Sequence, residues 1–326
     1  MNDTHDVTHH DADIAIVGGG IAGQSLAAAL GELGSPLRIV VLEGEGTLGY
    51  HTSSRSASQM QPSYGPPEIR ALTAATLALM PGIEQTLGTS ILSPRPLIWC
   101  GVRGSSAQVD SVLASVPDAR EGSIDEAVTR LPVLRASALE SVAFDENAKE
   151  VDVAALLGHY QARMSATGVT VLHTARLAGA TQTADGWTLA AGSHRVHTRT
   201  VVNAAGAWAD PLAELFGKAP RGLQPYRRTI TVAPSTSRAV DPAWPMACDM
   251  GDSFYFRPQG GEILASPLED EASTAEDARP RPTEIDAVKQ RINAVTDLAL
   301  GPSTRSWTGL RTLSATGLPV VGREPG

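Results

Sequence analysis

Cysteine is scarce. Cys100 and Cys248 are the only two in 326 residues, and no C-x-x-C spacing occurs. That excludes a cysteine-built zinc or iron–sulfur centre and any disulfide framework. One bridge between the two is the single pairing the count allows, but free thiols in a cytoplasmic protein are the expectation. Basic residues are in deficit as well. Lys and Arg total 26 against 35 Asp and Glu, a net charge of −9. Such a chain has little with which to neutralise a phosphate backbone, so nucleic acid is not an expected partner. A small anionic substrate is still allowed, because it responds to local arginines. No leader is expected from residues 1–12, which are polar and acidic, with neither the basic start nor the apolar stretch of a signal peptide. Their His5, His9 and His10 read as a frayed tail and not as a metal site. The apolar stretch Ile14 to Leu30 is broken by glycines and by Gln24-Ser25, which argues against a membrane span. No internal repeat is visible.

What is present is a globular balance, 42% hydrophobic and 19% charged residues, in a chain long enough for two domains with real cores. The most informative stretch runs from Asp13 to Glu43. Asp13–Val17 is a short apolar strand with a β-branched bias. It leads into Gly18-Gly19-Gly20-Ile21-Ala22-Gly23, then a helical pattern to about Leu33 that Gly34 and Pro36 stop. Arg38–Leu42 is a second strand, ending on Glu43. Gly18, Gly20 and Gly23 occupy the G-x-G-x-x-G places of a βαβ dinucleotide fold, with the acid at the end of the second strand. Gly18 allows the tight turn, Gly20 lets a pyrophosphate reach the backbone, and Gly23 lets the helix pack close to the sheet. The first helical turn, with Ile21 and Ala22, offers free N–H groups and the positive end of the dipole. Glu43 is placed to accept from ribose hydroxyls.

Further along, Gly44 to Leu72 is polar and turn-rich. Its Thr52-Ser53-Ser54-Arg55-Ser56 run suits a loop over phosphates or a ring. Glu68–Leu87 reads as a helix with Ile69, Leu72, Ala75, Leu79 and Ile83 on its apolar face. Residues 91–148 mix short apolar stretches with proline breaks, including a small helix ending before Pro132 and a strand at Val142–Phe144. Val151–Thr167 is an amphipathic helix capped by Gly168. Strands follow at Val169–Leu172, Trp187–Ala190, Arg195–His197 and Thr200–Asn203. The last runs into a second glycine turn, Ala204-Ala205-Gly206-Ala207-Trp208, which returns the chain to the nucleotide-binding part. Beyond Gly222 the pattern is strand-like, then acidic loop, then helix (Glu284–Leu298), then a strand near Trp307 to Arg311.

These pieces together resemble the D-amino-acid oxidase superfamily of FAD-dependent amine dehydrogenases and oxidases. IVGGGIAG, VVLE, RSAS, VVNAAGAWAD, FYFRP, WTGLR and GLPVVG carry the likeness. Within it, GYHTSSRSAS, YGPPEIRALTAAT, ILSPRP, PVLR, GLQPYRR, WPM and SFYFRP are most similar to the bacterial FAD-dependent D-arginine dehydrogenases. The resemblance implies an α/β fold: a Rossmann-like FAD-binding domain (residues 1–90, 149–221 and 308–326) with an inserted α+β substrate domain on a mixed or antiparallel sheet (residues 91–148 and 222–307). It implies non-covalent FAD and oxidation of a Cα–N bond by hydride transfer to the flavin, giving an imino acid that water hydrolyses to a 2-oxo acid and ammonia.

Residue roles carry over in the same way. Arg228 and Arg311 would clamp the substrate carboxylate, with Tyr255 donating to it and Tyr64 at the mouth of the site. Gly18, Gly20, Ile21, Ala22, Gly23 and Glu43 would hold the ADP half. Arg55, Ser56 and Ala57 would lie on the flavin side, with Gly206, Trp208 and Gly309 near the pyrophosphate or ring. Leu97 stands where the D-arginine enzymes have a glutamate, and leucine cannot offset a buried cation. Neutral, apolar D-amino acids are therefore expected over D-Arg and D-Lys. Gln59 replaces a histidine of that pattern. The family pattern also continues beyond PVVG with a glycine-rich segment and a last helix, whereas this chain stops at Gly326, so a fragment, a differently completed site or impaired flavin binding all stay open. No metal is expected. The acceptor would be a quinone or O2, in a cytoplasmic enzyme peripheral to the membrane if quinone is used. The alternatives are a glycine- or sarcosine-type oxidase and a catalytically silent nucleotide-binding protein.

Overall fold

A computed structural model describes residues 7–34, 36–104 and 108–324; the expected tail residues 1–6, with His5, lie outside that range. In chain order the elements are β1 (Thr8–Val17), α1 (Ile21–Gly31), β2 (Ile39–Leu42), β3 (Gln59–Met60), α2 (Pro67–Leu87), β4 (Leu92–Pro94), β5 (Leu97–Val102), α3 (Gln108–Ser115), β6 (Arg120–Gly122), α4 (Ile124–Arg130), β7 (Leu139–Asp145), β8 (Lys149–Val151), α5 (Val153–Ala166), β9 (Thr170–Leu172), β10 (Leu177–Thr183), β11 (Gly186–Ala191), β12 (His194–Asn203), α6 (Ala209–Leu215), β13 (Gln224–Ala233), β14 (Met246–Asp249), β15 (Tyr255–Gln259), β16 (Glu262–Ser266), α7 (Pro282–Val295) and β17 (Arg305–Leu313).

The strands form three sheets: six-stranded β10-β11-β12-β1-β2-β9, eight-stranded β17-β13-β16-β15-β14-β5-β7-β6, and three-stranded β3-β8-β4. In the first, β12, β1, β2 and β9 are parallel. Parallel strands need crossovers that cover their faces. Here α1 and α5 cover one face through Ile16, Ala27, Val41 and Met164, and Leu212 of α6 covers the other. The apolar run of β2 is buried throughout, as a strand covered on both faces should be. One face of the eight-stranded sheet packs on α4 and α7 through Phe144, Phe256, Ala127, Val288 and Ile292, the largest core cluster.

The βαβ start forms where the sequence places it. Several expectations need correction. His9 and His10 are not a frayed tail: β1 extends back to Thr8 in register with β12, and His10 Nε2 lies 3.2 Å from His194 Nδ1. Arg195–His197 and Thr200–Asn203 are one strand, because its first half pairs with β11 and its whole length with β1. The apolar face of α2 is also shifted. Met80 and Ile83 are buried against Val151 and Leu156, while Leu72 and Leu79 are exposed. One of the short apolar stretches of residues 91–148 is helix α3, and β10 and α6 have no clear sequence signal. The pairing of Trp99 with Cys248 puts Cys248 and Cys100 on opposite faces of the sheet, which rules out a bridge; both are free. Residues 308–313 lie in β17 of the eight-stranded sheet, and 149–151 in the three-stranded one.

Candidate active site

The two glycine turns meet. Gly18 has φ +112°, and a Cβ there would sit 2.3 Å from the Ala204 carbonyl oxygen. A Cβ on Gly23 would sit 1.9 Å from the Gly18 carbonyl oxygen, so only glycine permits this approach of α1 to β1. Gly20 is the N-cap of α1 and has no side chain to offer. Ser53, from the polar loop, supplies the missing cap: its Oγ accepts from Ile21 N at 2.9 Å. Glu43 is buried, with Oε2 accepting from Gly19 N at 2.9 Å and Oε1 from Glu45 N at 2.8 Å. Between the turns lies a cleft of about 620 Å³ lined by Gly18, Gly20, Ile21, Ala22, Glu43, Gly206 and Trp208, among others. The Trp208 ring is 4.6 Å from His51, and the Arg176 guanidinium lies over it at 5.5 Å. Gly23, Arg55, Ser56, Ala57 and Gly309 are not among the lining residues.

Strand register brings the substrate candidates together. Arg228 pairs with Gly309, and Tyr226 with Arg311, across β13 and β17. Opposite residues share a face and alternate residues return to it, so Arg228 and Arg311 project to the same side. The register continues across the sheet: Tyr255 opposite Cys248, Met246 opposite Leu97, and Cys248 opposite Trp99. Leu97, Met246 and Cys248 form one apolar cluster against which Tyr255 and Trp99 pack. Tyr64 reaches this face from the loop, where Arg311 Nη2 donates to its hydroxyl at 2.7 Å. Asp252, in the β14–β15 turn, feels the charge of both arginines, although burial outweighs them and pushes its carboxyl up. Burial also pushes the Tyr255 phenol up to about 12, so its hydroxyl stays protonated.

Comparison with known proteins gives the family of the chain. Residues 13–326 match the DAO family model, described as FAD dependent oxidoreductase. The chain belongs to that family. Glycine oxidase from Geobacillus kaustophilus is similar in structure, with TM-score 0.81 and 20% identity over 97% of this chain and 86% of that one. L-proline dehydrogenase from P. horikoshii gives TM-score 0.82 and 16% identity over 97% and 85%. L-amino acid deaminase from Proteus vulgaris gives 0.76 and 16% over 98% and 88%. A relative in sequence, hydrogen cyanide synthase subunit HcnC from Pseudomonas aeruginosa, is 29% identical over 129 residues, 39% of this chain and 29% of that protein. The chain therefore matches less than a third of that relative's length.

The DAO-family cofactor is FAD, and the cleft fits a dinucleotide. A Cβ on Gly20 would meet only Ser53 Oγ, at 3.3 Å, so its backbone stays open to a phosphate. Glu43 keeps unused lone pairs for a ribose after serving two backbone N–H groups. Arg55 is engaged otherwise than the sequence suggested. It donates to the Thr308 carbonyl at 2.9 Å and pairs with Asp277 at 2.8 Å, and its own carbonyl accepts from Trp307 Nε1 at 3.0 Å. It ties the polar loop to β17; Gly309 is kept free of a side chain there, since a Cβ would lie 3.3 Å from Arg55 Cβ. Ser56 Oγ accepts from Ser58 N at 3.2 Å, and Ala57 packs on Ile230, Val232 and Leu264. Leu97 is 1% exposed, a core residue under Tyr255. Gln59 lies in β3, its Nε2 donating to the Arg95 carbonyl at 3.1 Å and its buried Oε1 without a partner among the described residues. Among those residues no cluster suits a metal ion, and no helix is long and apolar enough to cross a membrane.

Sequence reasoning missed the groups that position the site. Asp145, fully buried, accepts from Ser63 Oγ at 2.5 Å and Gln61 Nε2 at 3.1 Å, fixing the turn that carries Tyr64. Glu150 accepts from Arg95 Nε at 2.9 Å and pairs with Arg257 at 2.8 Å. The SPRP and FYFRP motifs thus contribute a structural arginine each. A charged residue inside an apolar or proline-flanked motif was the available signal.

Proposed function

We propose that this protein is an FAD-dependent D-amino acid dehydrogenase or oxidase that takes neutral, apolar substrates in preference to cationic ones. The observation that carries the reading is the shared face of Arg228, Arg311 and Tyr255, continuous with the apolar Leu97–Met246–Cys248 cluster. Two planar guanidiniums suit a carboxylate, and the protonated Tyr255 hydroxyl adds a donor. With the carboxylate held there, the side chain falls towards the apolar cluster, whose own residues carry no charge to offset a cation. FAD, when bound, supplies the two-electron acceptor for oxidation of the Cα–N bond, and water then hydrolyses the imine to a 2-oxo acid and ammonia. The preference for D-configured substrates is supported by the motif resemblance. We read the cleft and its glycine turns as the cofactor domain and the eight-stranded sheet as the substrate domain.

The test is a visible spectrum followed by anaerobic bleaching with matched D- and L-amino acids. Fast bleaching by D-Val, D-Leu or D-Met and slow bleaching by D-Arg and D-Lys is expected; faster turnover of D-Arg sinks the side-chain reading. The resemblance to glycine oxidase favours one alternative, an oxidase of the glycine or sarcosine type. Peroxide formed without an artificial acceptor selects it over a quinone-linked dehydrogenase. A sample that stays colourless with added FAD would mean a silent nucleotide-binding protein.

A further inference from the structure

Arg228 already holds a carboxylate. Its Nη2 donates to Asp270 Oδ1 at 3.1 Å, and its Nη1 to the Arg227 carbonyl at 3.1 Å. Arg311, on the same face, donates to the Tyr64 hydroxyl, and among the described residues no carboxylate lies within ion-pair distance of it.

The residues on both sides of Asp270 are anchored, Glu269 through its side chain and Glu271 and Ser273 through their main chain. Strand β16 pairs with β13 only at Thr231–Ala233. Along the rest of that edge the segment after β16 takes over. Glu269 Oε1 accepts from Thr229 N at 2.5 Å, Arg227 N donates to the Glu271 carbonyl at 2.9 Å, and Ser273 N donates to the Pro225 carbonyl at 2.9 Å. Between these anchors the Asp270 side chain is 66% exposed. Arg228 is its one hydrogen-bond or ion-pair partner among the described residues.

We propose that Asp270 is an internal occupant of the substrate-carboxylate site: it holds Arg228 while the site is empty, and the incoming carboxylate displaces it. The inference rests on the reading of Arg228 and Arg311 as the substrate clamp. Displacement needs only rotation of the Asp270 side chain, because the Glu269 side chain before it and the main chain of Glu271 and Ser273 after it are bonded to β13. An exposed ion pair is weak, so the competition it offers is modest. Asp270 is therefore a positioning residue that sets the apparent affinity for carboxylates and leaves the chemical step alone.

The holoenzyme, its Asp270→Asn and Asp270→Glu variants and Arg228→Met are titrated calorimetrically with isobutyrate, a carboxylate without an amine. Steady-state constants are measured with the best amino acid of the panel. Asp270→Asn should lower the isobutyrate Kd and the substrate KM by about two- to fivefold, the range set by a weak exposed pair. Its kcat should stay within about twofold, and Asp270→Glu should restore the wild-type values. An unchanged or higher Kd in Asp270→Asn, while Arg228→Met weakens binding, overturns the proposal and leaves the clamp standing. Equal loss of kcat and melting temperature in Asp270→Asn would mark a structural role and overturn it as well. Wild-type isobutyrate binding by Arg228→Met removes the clamp, and the proposal with it.

Discussion

Arg311 is the less encumbered of the two guanidiniums, and its loss should be felt most directly. Hydrogen bonds to charged groups contribute about 1.5–3 kcal/mol each, so Arg311→Met should raise KM about 10- to 100-fold. Arg311→Lys should recover little, because an ammonium cannot reproduce the planar fork. A KM within threefold of wild type for both variants would remove Arg311 from the site. Glu269 makes a different case. One oxygen serves Thr229 N, the other has no partner among the described residues, and burial pushes the carboxyl up. A carboxyl whose folded pKa exceeds its unfolded value binds more protons when folded, so stability falls as pH rises through that window. Glutamine keeps the acceptor for Thr229 N and removes the charge. Glu269→Gln should therefore melt higher than wild type at pH 8 and lose that advantage at pH 4. A difference that does not change with pH would refute the assignment.

Helix α1 begins without a side-chain cap of its own because Gly20 has to stay bare. Its cap comes from Ser53, far along the chain, which makes the order of the polar loop and of the helix terminus interdependent. Loss of a serine cap costs about 0.5–2 kcal/mol. In a chain of this size, Ser53→Ala should lower the melting temperature by about 1–2 °C for each kcal/mol lost. It should also weaken FAD binding by the apoprotein, because the loop that borders the cleft loses an anchor. Unaltered FAD affinity would show the loop to be held by Arg55 and Thr52 alone, whose contacts to Thr308 and Leu310 carbonyls remain. The pairing of β13 with β17 is the other element on which the site turns. A slip of one residue would send one arginine to the opposite face.

Across the whole molecule, legibility follows the range of the interaction. The βαβ start was readable from Asp13 to Glu43 because glycine turns, helix stop and acid are all local. That Arg228 and Arg311 share a face has no local signal, since it depends on the pairing of strands far apart in sequence, and in the sequence it follows from the family resemblance alone. The polar loop lines the cleft through Tyr50, His51, Thr52 and Ser53, whereas the Arg55 side chain turns to Asp277 in a distant acidic segment, a pairing with no local signal. Glu150 is the extreme instance: a surface-looking acid that joins two sheets. It lies in β8 of the three-stranded sheet and holds Arg95 and Arg257, whose side chains are 11% and 3% exposed. Burial lowers the Arg257 pKa, with Glu150 working against it. Arg257 in turn donates to the Ala57 carbonyl at 3.1 Å, so the pair reaches the loop beside the cleft. Replacing a buried ion pair by apolar groups can be neutral, but deleting one member strands the other and costs about 3–5 kcal/mol. Glu150→Ala strands two guanidiniums. It should lower the melting temperature by about 10 °C or more and release FAD at a lower temperature than the global transition. Glu150→Gln, which keeps one acceptor oxygen, should fall between. If Glu150→Ala melts within about 2 °C of wild type, the cluster is water-relaxed and the small sheet is held by the apolar contacts of Met80, Ile83 and Val151 instead.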